Sequence, residues 1–144
     1  MIYITRSESD TLDFGRALGS CLGAGDCVLL TGDLGAGKSV LARGIAAAHG
    51  VREAMPSPTF VLMIPYAGDI DIYHFDLYRL SDPDEFYQAG LEEYIGGDGL
   101  SIIEWPQMAA LDYPGAVRVE IERPGIEDDE CARHIIISGA SEKA

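Results

Sequence analysis

Runs and alternations of apolar residues along the chain predict strands separated by helices. A continuous apolar run at 27–31 and a shorter one at 100–103 are typical of strands buried on both faces of a sheet. Along residues 70–78 the side chains alternate with a period of two, as they do on the two faces of a strand. This pattern predicts the second strand of a hairpin whose first strand covers 59–66. The other predicted strands are 2–5, 117–121 and 134–137.

Segments between these strands have features typical of helices. A first helix is expected to start at a cap on Ser9 or Asp10 and to end at 23–25, where two glycines occur. The residues expected along its buried stripe are Leu12, Phe14, Ala17, Leu18, Cys21 and Leu22. A second helix is expected over 38–49, before Gly50. Short helices are predicted at 85–88, extended by 91–95, and at 107–111.

The composition and charge narrow the class of protein. The 144 residues fit a single domain over 1–144, and no apolar run approaches the roughly 20 residues that cross a bilayer. Three cysteines without a CxxC spacing indicate reduced thiols, and no signal-peptide pattern is seen, so we expect a cytoplasmic protein without membrane contact. The net charge of −14 is poorly suited to gripping a phosphate backbone alone. Any nucleic acid is therefore expected to be held by a basic partner.

A complete P-loop pattern, Gly-x4-Gly-Lys-Ser, occupies residues 32–39 directly after the first buried strand. Its glycines allow backbone N–H groups to point at phosphate oxygens, and the following helix adds its positive end. Lys38 is expected to neutralise the terminal phosphates and Ser39 to ligate Mg²⁺. The nucleotide-binding residues expected here are Asp33, Leu34, Gly35, Ala36, Gly37, Lys38, Ser39 and Val40.

Two carboxylates end predicted strands, Asp76 in the hairpin and Glu104 after the run at 100–103. A P-loop ATPase needs a carboxylate that holds Mg²⁺ or its water, and a group that orients the attacking water. Either residue is a candidate for either role. Thr59, after Ser57-Pro58, is a candidate for a hydroxyl near Mg²⁺, with a turn or strand-start residue as the plainer interpretation.

Other nucleotide-binding classes fit the sequence less well. The Asn-Lys-x-Asp segment that would select guanine is absent. A small-molecule kinase usually carries an arginine-rich lid, whereas the arginines after Arg79 are scattered at 118, 123 and 133. We therefore favour an ATPase. The alternatives left open are a small-molecule P-loop kinase and a nucleotide-dependent assembly module with negligible hydrolysis.

Four segments in this order and spacing resemble the TsaE (YjeE) family, an ATPase family of tRNA threonylcarbamoyladenosine biosynthesis. They are the P-loop at 32–39, Ser-Pro-Thr-Phe at 57–60, His-Phe-Asp-Leu-Tyr-Arg-Leu at 74–80 and Ile-Glu-Trp-Pro at 103–106. The last two are far more specific than the P-loop, and the likeness covers nearly the whole chain. The segment at 124–131 departs from the family pattern and leaves the partner contacts of that area undefined.

The resemblance implies an α/β fold, a single-domain P-loop NTPase with a mixed central sheet flanked by helices. It implies that ATP and Mg²⁺ are bound and that ATP is hydrolysed slowly by the protein alone. It further implies association with TsaD, a threonylcarbamoyl transferase subunit, and with TsaB, so that tRNA is met indirectly through that complex. The ATPase is then expected to support the repeated turnover of the transferase.

The same resemblance assigns roles to single residues. Lys38 and Ser39 keep the P-loop roles, Glu104 matches the carboxylate on the Mg²⁺ side, and Asp76 matches an essential acid. The expected catalytic residues are Asp76, Lys38 and Glu104, and the expected metal ligands are Ser39 and Glu104. Thr59 matches a mobile segment near the nucleotide. Trp105 matches an aromatic residue beside the nucleotide, with packing at the edge of the core as the alternative.

Overall fold

The computed structural model of the protein describes residues 2–33, 36–52, 62–111, 113, 115–123 and 133–139. Its first elements in chain order are β1 (Ile2–Thr5), α1 (Glu8–Ser20), β2 (Cys27–Thr31), α2 (Lys38–Ala47), β3 (Met63–Ala67) and β4 (Asp71–Asp76). They are followed by α3 (Pro83–Gln88), a 3₁₀ helix (Leu91–Tyr94), β5 (Leu100–Glu104), a second 3₁₀ helix (Pro106–Ala109), β6 (Val117–Glu122) and β7 (Arg133–Gly139).

The strands of these ranges form one sheet in the order β1-β7-β6-β2-β5-β4-β3. The four central strands β6, β2, β5 and β4 run parallel to one another, and the pairs β1–β7, β7–β6 and β4–β3 are antiparallel. Parallel neighbours require crossover connections, and these carry helices onto the two faces of the sheet. The predicted α/β class with a mixed central sheet is therefore confirmed, as is the hairpin of β3 and β4.

Both faces of the sheet are buried, because successive side chains of a strand point to opposite sides. One face packs against α1 and α2, and its core includes Val28, Leu30, Leu41, Ile45, Ile72, Ile102 and Ile121. The other face lies under α3 and the two 3₁₀ helices, and its core includes Leu29, Phe75, Leu77, Phe86, Ile103 and Ala109. No helix in the described ranges is long and apolar enough to cross a membrane.

The start of α1 differs from the prediction. Its N-cap is Ser7, whose extended backbone lets the hydroxyl accept the N–H of Asp10 at 3.0 Å. The predicted caps, Ser9 and Asp10, were wrong because both lie inside the helix. The carboxylate of Asp10 instead accepts the N–H of Arg6 at 3.1 Å. The helix also ends at Ser20, earlier than the predicted stop at 23–25.

The buried face of α1 was predicted in part: Leu18 and Leu22 are buried, and Phe14 packs against the core. Ala17 and Cys21 are exposed, and glycines form much of the contact with α2. A Cβ added to Gly15 would lie 2.6 Å from the carbonyl oxygen of Leu41, and one added to Gly44 would come within 2.3 Å of the backbone of α1. The two helices are thus close enough that a larger residue at either glycine would collide with main chain. An apolar-stripe argument overlooks such contacts because glycine has no side chain to count.

Smaller differences concern element ends. Residues 91–95 do not extend α3, because Gly90 takes φ 73° and the chain restarts as a 3₁₀ helix. The helix predicted at 107–111 is a 3₁₀ helix over Pro106–Ala109. The strand predicted at 59–66 is seen from Met63 onward, and residues 53–61 lie outside the described ranges.

Candidate functional site

Those predicted site residues that the structure describes lie at or near the carboxyl ends of the parallel strands. The P-loop begins directly after β2. Glu104 is the last residue of β5, and Asp76 is the last residue of β4. In the strand registers Leu30 is paired with Glu104, and Glu104 with Asp76. Ligands of open α/β sheets bind in the crevice outside these strand ends. The sheet therefore brings the phosphate loop and both acids to one edge.

Two glycines shape the described part of the P-loop. Gly32 takes φ 148° and Gly37 takes φ 113°, which are backbone conformations that residues other than glycine rarely adopt. A Cβ added to Gly32 would lie 2.3 Å from the carbonyl oxygen of Ile121 on β6. Gly37 forms the N-cap of α2, so the helix N-terminus opens directly onto the loop. Leu34 and Gly35 lie outside the described residues.

Lys38 folds back over its own loop. Its side chain is buried, and Nζ donates to the carbonyl oxygen of Gly32 and, at 3.1 Å, to that of Asp33. Nζ also lies 4.1 Å from the ring centroid of Trp105. Burial lowers the pKa of Lys38 below its ordinary value, and the charges of Glu104, Asp76 and Asp33 oppose that shift. The site therefore concentrates acidic charge around one cation.

Glu104 is the most deeply placed acid of the site. Its side chain is 4% exposed, and Oε2 lies 2.6 Å from Nε2 of His74, which is 1% exposed. The sequence reasoning did not assign a role to His74. A signal existed, because His74 and Asp76 are two residues apart on β4 and must share a face of the sheet. That alternation placed the histidine among the acids without showing which of them it contacts.

Asp76 is half-buried at the end of β4, next to Glu104 in the register. Its Oδ1 accepts the backbone N–H of Tyr78 at 3.1 Å, which orients the carboxyl group at the strand end. The next residue, Leu77, donates its N–H to the carbonyl oxygen of Glu104 at 3.1 Å. The two acids therefore sit on backbone segments that are directly hydrogen-bonded to each other.

Trp105 has a left-handed backbone, φ 59° and ψ 47°. A bulky residue in that region costs on the order of 1–3 kcal/mol and persists only where its surroundings impose it. Here its backbone N–H donates to the carbonyl oxygen of Leu30 at 3.3 Å. Its ring packs on the ring of Tyr78, with the two centroids 4.8 Å apart. The turn thereby holds the ring against Lys38. The residue lies at the core edge and also beside the P-loop.

A cleft of about 170 Å³ opens beside the P-loop. It is lined by Ser7, Glu8, Thr11, Ala36, Gly37, Val40 and Arg133. Nε of Arg133, on β7, donates to the carbonyl oxygen of Ala36 at 2.7 Å. Sequence reasoning missed Ser7, Thr11 and Arg133 as site residues. For Arg133 no local signal existed, because only the register of β7 on β6 carries a residue 97 positions away to the loop.

The donor set fits a magnesium ion held jointly with phosphates. Mg²⁺ is usually bound by one or two protein oxygens, with phosphate oxygens and waters completing its shell. Ser39 in the first turn of α2 and Glu104 at the end of β5 carry side-chain oxygen atoms of the kind that would suit such an ion. Within the described ranges no group of three His, Cys, Asp or Glu residues could hold a metal unaided. Thr59 lies outside those ranges.

Comparison with known proteins identifies relatives along most of the chain. Residues 5–135 match the family described as "Threonylcarbamoyl adenosine biosynthesis protein TsaE". A protein of Treponema pallidum (strain Nichols) named tRNA threonylcarbamoyladenosine biosynthesis protein TsaE is 38% identical, over 79% of this chain and 84% of its own. A protein of the same name from Rickettsia bellii (strain RML369-C) is 38% identical over 88% of each chain.

The fold has a solved counterpart. The crystal structure of Bacillus subtilis YdiB superposes with a TM-score of 0.79 at 26% identity, covering 99% of this chain and 87% of that one. The family resemblance inferred from the four sequence segments is thus confirmed.

Proposed function

We propose, because the chain belongs to the TsaE family, that it is the ATP-binding and ATP-hydrolysing subunit of the machinery that forms threonylcarbamoyladenosine in bacterial tRNA. The observation that carries the proposal is the meeting of Lys38, Glu104 and Asp76 at the mouth of the P-loop. A cation for the terminal phosphates and two acids are the groups that Mg²⁺-dependent phosphoanhydride hydrolysis requires. The small-molecule kinase considered from the sequence has no support from the relatives above, none of which is named as a kinase.

The P-loop would bind the nucleotide through its backbone and through Lys38. Phosphate oxygens compete with the carbonyl oxygens of Gly32 and Asp33 for Nζ, so binding exchanges two neutral acceptors for charged ones. Nucleoside atoms would fill the cleft beside Ala36, next to the guanidinium of Arg133. Trp105 closes the opposite side of Lys38. In this arrangement Lys38, Ala36 and Trp105 would surround one ligand.

The two acids would divide the remaining work according to their positions. Glu104, buried and one strand from the P-loop, would join Ser39 in holding Mg²⁺, directly or through water. Mg²⁺, when bound, supplies positive charge against the terminal phosphates. Asp76, one strand farther out and half-buried, would accept a hydrogen bond from the attacking water and so orient it. The greater solvent contact of Asp76 favours this assignment over the reverse.

The hydrolysis would serve a protein partner. With a net charge of −14, the chain is suited to docking on basic groups of TsaD and TsaB, while those proteins hold the tRNA. Nucleotide-dependent changes around the P-loop would alter that docking, as in other P-loop switches. We expect the complex to act in the cytoplasm and the weak ATPase of the isolated chain to support repeated rounds of transfer.

Reconstituted tRNA modification with TsaB and TsaD tests the proposal. Lys38→Ala should lower ATP turnover by about 10²–10³-fold and reduce modification accordingly, because a preorganised charge on the phosphates is lost. Arg43→Ala is the matched control, since Arg43 is a cation on the same helix that pairs with Glu8 at the surface. Undiminished ATP turnover and modification by Lys38→Ala would contradict the proposal.

Asp76→Ala separates hydrolysis from simple assembly. We expect it to keep nucleotide binding and to lose turnover of ATP and of the transferase. If it instead supports full tRNA modification, the protein is a nucleotide-dependent assembly module. Transfer of phosphate to a metabolite in a panel of acceptors would indicate a kinase.

A further inference from the structure

The hydrogen bond between His74 and Glu104 is buried beneath the P-loop. Both side chains are almost fully enclosed, and the Nε2–Oε2 distance of 2.6 Å is short for a nitrogen–oxygen contact. In the strand registers His74 lies between Ile64 and Ile102, so the imidazole is inserted among aliphatic positions. A polar pair at such a place costs desolvation that an aliphatic pair would avoid.

The second ring nitrogen of His74 adds to this desolvation cost. Nδ1 is buried and has no hydrogen-bond partner among the described residues. Most buried polar atoms in native proteins are paired, and exceptions call for an explanation. Buried N–H groups without a partner are rarer than under-satisfied acceptors, so the tautomer with its proton on Nε2 fits this position. In that tautomer Nε2–H donates to Glu104.

We propose that His74 is a positioning residue that fixes the carboxylate of Glu104 for the metal ion of the P-loop. Because His74 contacts Oε2, Oε1 is the oxygen that would remain for the metal ion. A glutamate has three rotatable bonds, and ordering them costs conformational entropy at the moment of binding unless the side chain is already held. Hydrogen bonds from outer residues commonly orient metal-binding carboxylates in this way. The contact also ties β4, which carries Asp76, to β5.

This inference rests on the proposed function and makes a separate claim. The test is a Mg²⁺ titration of a non-hydrolysable ATP analogue bound to the intact chain. The readout is the fluorescence of Trp105, the sole tryptophan, whose ring lies 4.1 Å from Nζ of Lys38. It reports binding without requiring turnover.

His74→Ala should raise the Mg²⁺ midpoint by about 10–100-fold, while binding of the analogue in EDTA stays within about twofold of wild type. His74→Gln should recover most of the loss, because its amide N–H can donate to Glu104. In a Glu104→Gln background His74→Ala should add little, since it acts through the carboxylate. Ser101→Ala is the matched control: Ser101 is buried on β5, its hydroxyl donates to the carbonyl oxygen of Tyr94 at 3.3 Å, and loss of that bond should not move the midpoint.

The outcomes separate the two proposals. Wild-type protein without Mg²⁺-dependent binding of the analogue would overturn both. Wild-type protein with such binding, and His74→Ala with an unchanged midpoint, would overturn only the positioning role. Equal shifts in His74→Ala and Ser101→Ala would also overturn it, because they would reflect general loosening of the fold.

A measurement on unmutated protein covers the case in which the variants do not fold. In the ¹⁵N spectrum of histidine-labelled protein, we expect a proton on Nε2 of His74, where it can be donated to Glu104. We also expect that N–H to be protected from exchange with solvent. A ring protonated only at Nδ1 has no hydrogen to donate to Glu104 and would overturn the proposal.

Discussion

The two faces of the central sheet differ in chemistry although they share the same strands. On β4, Phe75 points into the core beneath α3, whereas its neighbours His74 and Asp76 face the P-loop side. On β5 the same alternation separates Ile103 from Glu104. Because successive strand residues point to opposite sides, one short segment supplies both a packed core and a charged site. Adjacent substitutions should therefore have unlike consequences.

The helices that pack on the two faces differ as well. The P-loop side is covered by two longer helices that approach closely at Gly15 and Gly44. In the described part of the chain, the other side is covered by α3 and two 3₁₀ helices, packed through large side chains such as Phe86. The first cover holds the start of α2, and hence Lys38, in a narrowly defined position. The second depends on apolar volume and contributes mainly stability.

Phe75→Ala should have the largest effect on stability, lowering the free energy of unfolding by about 3–5 kcal/mol, because Phe75 is fully buried. Its neighbour Asp76→Ala should change stability by less than about 1 kcal/mol while abolishing most ATP turnover. Urea unfolding and an ATPase assay on both variants measure this contrast. If Phe75→Ala lowered kcat of the folded protein as strongly as Asp76→Ala, the two faces would not be separable.

Gly44→Ala tests the close helix contact on the P-loop side. The new methyl group would meet the carbonyl oxygen of Leu12 at 2.3 Å, and overpacking of this kind costs about 1–3 kcal/mol. Gly23→Ala is the control, since beyond its chain neighbours no heavy atom of the described residues lies within 4 Å of the added carbon. Thermal unfolding of the two variants checks the expectation. Equal melting temperatures would show that α1 and α2 can separate without loss.

Ala110→Gly and Trp105→Gly compare two residues with the same left-handed backbone, φ 54° and φ 59°. Glycine at 110 should stabilise the fold by about 0.5–1 kcal/mol, because it removes the Cβ clash of that conformation. At 105 the same relief should be outweighed by the lost contacts with Lys38 and Tyr78. Chemical denaturation distinguishes the cases. A stabilised Trp105→Gly that binds nucleotide normally would mean that the ring only packs.

Cys27 should have the smallest effect at neutral pH, because burial of its thiol causes a loss of stability only at alkaline pH. Burial raises the pKa of its thiol to about 12, from 9.0 for an ordinary cysteine. Since the folded value is the higher one, the contribution of this thiol to stability is present below about pH 9 and is lost as pH rises towards 12. At pH 8 a thiol reagent should modify exposed Cys21 quickly and Cys27 only on unfolding. The assay uses a Cys131→Ser background, and rapid labelling of Cys27 would contradict the expectation.

Much of the fold could be predicted because its signals are local. Continuous apolar runs identified β2 and β5, and alternation identified β4 and its hairpin with β3. Element ends were less predictable. Ser7 replaced the predicted caps of α1 because capping depends on the backbone at the helix start, where several nearby residues could supply the oxygen.

The sequence by itself determined the phosphate loop, the acids at the ends of two strands and the family, because each depends on residue type at fixed spacing. Only the tertiary structure decided which distant groups meet. Strand register joins His74 to Glu104 and brings Arg133 to Ala36. Such contacts arise between segments 30 and 97 positions apart, where sequence spacing carries no information about distance in space. The P-loop was therefore predictable from the sequence, and the contact between His74 and Glu104 was not.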